Sequence, residues 1–166
     1  MARPRKKPVA PPQTPTEAIA LALKVPFESF GVMAGAADRF GAEAVALAVL
    51  DQLSLATAGG DDSNEAGLAI LLAQTGAPGE VYAELGRRIE QAFASDAMEG
   101  AAWLLPVACA GIPLAQEWVE PLPRELRHSL AAVAVKLAGN LEPLLAFHGA
   151  MRLTPIEETV RVLKGE

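Results

Sequence analysis

Between Ala42 and Thr57 the apolar residues Val45, Leu47, Val49, Leu50, Leu53 and Leu55 fall nearly all the way round an α-helix. A helix that is apolar on every side cannot lie on a surface, so it must be central or interfacial and needs other elements to surround it. The 166 residues suffice for one domain with such a core and are too few for two ordinary domains. Alanine makes up about a fifth of the chain and aromatics only 5%, and these short side chains suit tightly packed helices better than sheets.

Helix starts and stops recur along the chain. Thr14-Pro15-Thr16-Glu17 reads as a capping box with proline at the first helical position, opening a helix that stops before Pro26. A second helix is expected over 27–40, ending at Gly41, with Gly31 and Gly35 on one face where another helix of the bundle approaches closely. After the 42–57 helix, Asp61-Asp62-Ser63-Asn64-Glu65 supplies caps for a helix carrying Leu68, Leu71, Leu72 and Thr75. Gly76 stops that helix, and Pro78 opens another through Ala94, with Val81, Leu85, Ile89 and Phe93 inward and a Glu84–Arg88 pair outside.

Ser95 is expected to cap a helix through Leu105, with a short helix over 112–119; Pro106, Gly111 and Pro113 break this apolar stretch into a buried pair. A helix over 123–138 stacks Leu126, Leu130, Val133 and Leu137 and ends at Gly139-Asn140, followed by a short helix over 143–151. Thr154-Pro155-Ile156-Glu157 reads as a second capping box, opening a last helix with Ile156, Val160 and Leu163 inward and a Glu157–Arg161 pair. The expectation is an all-α fold: a compact multi-helix bundle or short α-solenoid of about eight to ten helices, with a flexible N-terminal arm.

Charge is split unevenly. Residues 1–13 carry +4 and the remainder −10, which together make the net −6. Arg3, Arg5, Lys6 and Lys7, spaced by proline, form a flexible basic arm over 1–13 ahead of a single helical domain over 14–166. The body repels nucleic acid, whereas the arm attracts it and can release counterions without reading sequence. Ala2-Arg-Pro-Arg-Lys6 resembles the opening of phage terminase small subunits over those five residues; nothing after Pro8 continues the likeness, and no helix-turn-helix signature follows. The bias towards Ala, Gly, Pro and Leu fits coding in a GC-rich bacterial or phage genome.

Other chemistry has thin support. Cys109 is the one cysteine, without CxxC or a Cys/His cluster, so a structural zinc site and an internal disulfide are excluded and a reducing, cytoplasmic compartment is expected. No apolar segment follows the basic start as in a signal peptide, and the longest uncharged stretch, 100–116, is too short to cross a membrane. The acidic stretch 59–65 lacks the ligand spacing of a calcium loop and reads as a helix cap. Glu125 and His128 have Glu-x-x-His spacing, but a di-iron bundle needs a second such motif, and His148 has Leu145 where the glutamate should be. Arg124, Arg127, His128 and Lys136 form a possible secondary basic face.

No catalytic residue, metal or cofactor is assigned. Cys109 lies in an apolar run as an inert thiol, the phosphate-binding glycine motifs are absent, and the carboxylate pairs Asp61-Asp62 and Glu157-Glu158 sit at helix starts, where the helix dipole accounts for them. The leading expectation is a non-enzymatic protein that self-associates or binds a protein partner, with the arm on nucleic acid. The alternatives are an assembly factor, adaptor or chaperone without nucleic-acid binding, and a small-molecule binder or enzyme with a pocket around Trp103, Trp118 and His128.

Overall fold

The computed structural model describes residues 10–59, 62–75, 79–147 and 154–166. They form nine α-helices and a single 3-10 turn, with no strand among the described residues. In chain order the helices are α1 (Pro15–Lys24), α2 (Ser29–Phe40), α3 (Ala42–Gly59), α4 (Asp62–Gln74), α5 (Gly79–Ser95), α6 (Ala97–Cys109), α7 (Gln116–Val119), α8 (Arg124–Phe147) and α9 (Ile156–Lys164). Neighbours in sequence pack as hairpins, α1 on α2, α3 on α4, α5 on α6 and α8 on α9. Contacts of α1 with α4 and of α3 with α6 join neighbouring hairpins, as stacked repeats also do, whereas α4 with α8 joins the second hairpin to the last and folds the row back on itself.

α3 is the central helix. It touches α1, α2, α4, α5 and α6, and buries Val45, Ala46, Val49, Leu50, Leu53 and Ala56. By length and composition it is apolar enough to cross a membrane, and in this fold a third of it, the face of those six residues, is buried in the core. Its apolar girdle is incomplete: Leu55 points outward at 67% exposure. α8 reaches the core through small residues. Ala131, Ala134, Ala138 and Leu141 are buried, Leu126, Leu130 and Leu137 flank that stripe, and Val133, expected inside, is 43% exposed.

The helix ends show where local signals held. Thr14 Oγ1 accepts from the Glu17 N–H at 3.2 Å, as a capping box requires, but the Glu17 carboxylate accepts from the Gln13 N–H at 2.7 Å, one residue upstream of the expected donor. Pro26–Glu28 forms the 3-10 turn, which delays α2 to Ser29. Asp96 rather than Ser95 caps α6, accepting from the Met98 N–H at 2.7 Å, because α5 runs one residue further than expected. α6 also continues through Pro106, whose flanking Trp103, Leu104, Val107 and Ala108 are all buried; packing there outweighs one missing backbone bond.

The break comes instead at Gly111, with φ of 73°. The Gly111 N–H donates to Ala108 O and the Ile112 N–H to Val107 O, the paired bonds of a Schellman ending. The expected stop at Gly139-Asn140 does not occur. Both residues face solvent on a helix whose other side is anchored by Ala138 and Leu141, so α8 runs on through Pro143 and absorbs the start of the helix expected over 143–151. At the last helix no side chain caps the start, and the ion pair is Glu158–Arg161 at 3.9 Å rather than Glu157–Arg161. The expected punctuation at Gly60, Gly76 and Pro78 lies outside the described residues.

Candidate interaction surface

α2 has two unlike faces. Ser29, Met33 and Ala36 are buried, whereas Phe30, Gly31, Ala34 and Gly35 are exposed. Phe30 is 46% exposed, and Phe27 on the preceding turn 69%. Nothing lies within 4 Å of the place where a Cβ would sit on Gly31 or Gly35. The expected close approach of another helix of the bundle is therefore missing at both glycines. Instead they open, with Pro11, Pro12, Val32 and Phe40, onto a groove of about 240 Å³.

Arg39 closes one end of that groove. Its guanidinium donates to Pro12 O at 2.7 Å and Gln13 Oε1 at 3.1 Å, and lies 5.2 Å from the centre of the Phe40 ring. The Gln13 amide in turn donates to Pro11 O at 2.9 Å. Residues 11–13, the last of the expected flexible arm, are thus fastened to α2. The arm cations Arg3, Arg5, Lys6 and Lys7 lie outside the described residues.

Of the four residues of the possible basic face on α8, Arg124, Arg127 and His128 share one side of its first turns and Lys136 stands apart. Arg124 and Lys136 are exposed, and Arg127 and His128 half-buried. At about 100° per residue, Arg127 and Lys136 point roughly 180° apart. Arg127 shares the stripe of Ala131 and Ala134 and reaches beneath the end of α9, where a Cβ on Gly165 would stand 3.1 Å from its Nη1. A cation there faces the negative end of the α9 dipole. Its Nε is buried with no hydrogen-bond partner, so Arg127 acts as a packing element between α8 and α9.

The strongest electrostatic cluster is elsewhere. Arg88 on α5 donates to Glu84 Oε1 at 2.7 Å, as the spacing predicts, and also to Asp51 Oδ1 at 2.6 Å and Ser54 Oγ at 3.1 Å on α3. Arg87 grips the same Glu84 at 2.7 Å. Hydrogen bonds from Arg87 and then Arg88 hold the Glu84 carboxyl down to about 2. Because the Arg88 side chain is only 17% exposed, this cluster ties the amphipathic α5 to the central helix rather than offering cations to a ligand. Between the starts of α3 and α5, a hydrogen bond to Glu80 raises the Glu43 carboxyl above its ordinary value.

The remaining candidates sit in the core or apart from one another. Cys109 is buried. Trp103 and Trp118 are 5% and 4% exposed; Trp118 lies against Gly86, where a Cβ would meet its Cζ2 at 3.2 Å, and against the Tyr82 ring at 5.6 Å. Tyr82 donates to Pro113 O at 2.9 Å, and its hydroxyl is pushed up by burial and then by the charge of Glu117. Glu125 is exposed while His128 is half-buried, and His148 lies outside the described residues. No three His, Cys, Asp or Glu residues among the described ones group as metal ligands. In comparisons with protein-family models, curated proteins and solved structures, the chain matches none.

Proposed function

We propose that this chain is a non-enzymatic helical interaction protein of the cytoplasm that self-associates, and that Arg3, Arg5, Lys6 and Lys7 contact nucleic acid without reading sequence. The observation that carries this reading is the outer side of α2, which leaves Phe27 and Phe30 exposed and, roughly 100–140° round the helix from Phe30, opens an apolar groove at Gly31 and Gly35. Aromatic side chains next to a concave apolar surface are what the core of a protein contact is built from. A second copy of the chain is the partner, since one helix carries both the exposed aromatics and the groove, so a two-fold contact lets the aromatics of each copy meet the groove of the other. The charge split supports the role of the arm: the body repels polyanions and only the leader attracts them. Arg39 roots that leader beside the same face, so pairing through α2 brings two roots together and multiplies a weak phosphate affinity.

Removal of residues 1–9 leaves the Gln13 and Thr14 contacts intact. It is expected to abolish DNA binding at about 50 mM salt, read by fluorescence anisotropy, with helicity unchanged. Binding that survives the deletion removes the arm from this reading. Gly35→Arg places a large charge where no atom lies within 4 Å, so the fold accepts it and light scattering should show dissociation to monomer. A parent chain that is itself monomeric at high concentration refutes self-association. An oligomer without DNA binding leaves the second reading, an assembly factor or adaptor, which the α2 face favours on its own.

A further inference from the structure

The groove on α2 carries one charged side chain, Arg39, at the end nearer the C-terminus of the helix. The Arg39 guanidinium donates to two neutral oxygens, Pro12 O and Gln13 Oε1, and pairs with no carboxylate among the described residues. A guanidinium has five N–H donors, so the hold on residues 12 and 13 leaves others for an incoming acceptor. Glu28, immediately before α2, is exposed and likewise has no ion pair among the described residues. Glu28, Gly31, Gly35 and Arg39 recur at helical spacing and so share one side of α2. The acid and the base stand about three turns, roughly 16 Å, apart along the axis, with the two groove glycines midway between them.

We infer that two copies of the chain pair through this groove with their α2 helices antiparallel, the Glu28 carboxylate of each accepting from Arg39 of the other. The inference rests on the self-association proposed above and gives it a register. A two-fold axis across the helix exchanges its ends, so an acid and a base at nearly equal distances from the centre of the groove meet twice. A parallel pair would instead set Glu28 against Glu28 and Arg39 against Arg39, and would align the two helix dipoles. The antiparallel register also carries Phe27, 69% exposed in the single chain, to the Phe40 end of the other copy's groove. Asp38, the other acid on α2, lies about 100° round the helix from Arg39 and falls opposite Ser29 in this register, so it does not compete for the cation.

Charge reversal in the full chain, read by sedimentation equilibrium, tests the register. Glu28→Lys turns two attractions into two repulsions and is expected to weaken self-association about tenfold. Adding Arg39→Glu to the same chain lets opposite charges meet again and should recover most of that loss, even without the hold on residues 12 and 13. Glu90→Lys, an equal change of charge at an exposed position on α5, should leave the affinity where it was. Circular dichroism checks that every variant keeps its helices. A parent chain that stays monomeric at high concentration refutes the self-association reading and this inference with it. A parent that associates, but with an affinity that Glu28→Lys does not move or that Arg39→Glu does not rescue, keeps that reading and overturns the antiparallel register. An equal loss with Glu90→Lys overturns it as well, since net charge alone would then explain the effect.

Discussion

In the first turn of α6, where it packs on the end of α5, a Cβ built on Gly100 would overlap Cγ, Cδ1 and Cε1 of Phe93. Contact at the root of the ring, rather than at the tip of a flexible chain, leaves Phe93 no cheap escape. Gly100→Ala therefore sets two effects against each other. Alanine gains about 0.8–1.0 kcal/mol of helix propensity over glycine, while forcing a methyl into occupied space costs roughly 1–3 kcal/mol. The steric effect should win, with a net loss of up to about 2 kcal/mol and a fall in Tm of up to roughly 8 °C for a domain of this size. In a Phe93→Ala background the obstacle is gone, and the same substitution should stabilise by about 1 kcal/mol. Urea unfolding of the four proteins, with equal m-values, measures both steps. A Gly100→Ala effect of the same sign in both backgrounds would show that the ring does not occupy that space.

The position of the α6 cap makes a second prediction: Asp96→Ala should cost about 1 kcal/mol, and Ser95→Ala should stay within about 0.5 kcal/mol. Urea midpoints that rank the pair the other way would restore Ser95 as the cap. A third concerns acid. The folded state holds Glu84 at about 2 against an ordinary 4.5, so it favours the ionised form; that stabilisation is complete above about pH 4.5 and is lost as pH falls towards 2. Glu84→Gln should therefore flatten the acid limb of a plot of Tm against pH, and parallel curves for parent and variant would contradict the Arg87 and Arg88 contacts.

Residues whose partners are near in sequence were the legible ones. The Thr14 cap, the stops at Phe40 and Gly41, the Glu84–Arg88 pair and the central place of α3 all follow from periodicity and cap chemistry. The signals failed where packing overrode them, at Pro106 inside α6 and at Gly139 and Asn140 inside α8, because buried neighbours on the opposite side of the helix kept it going. Within the expected basic face, helical spacing puts Arg127 on the buried stripe and Lys136 opposite it, and which side is buried became visible only with Ala131 and Ala134, rather than the leucines, as the inner edge. The site residues proper were illegible. Asp51 meets Arg88, Gln74 meets Ser29 and Arg39 meets Pro12 across 37, 45 and 27 residues, with no local pattern marking any of these pairings.

The inner edge of α8 has a consequence for how this protein tolerates change. Alanine gives up no rotamer freedom on burial, so a helix seated through Ala131, Ala134 and Ala138 packs without the ordering cost that leucine or methionine would carry. It also leaves no slack, because a backbone drawn in to methyl distance has no room for one more carbon. Mutational drift in this seam should accordingly be one-sided, with trimming to glycine costing modest stability and every enlargement, serine included, prying the helix from its neighbours.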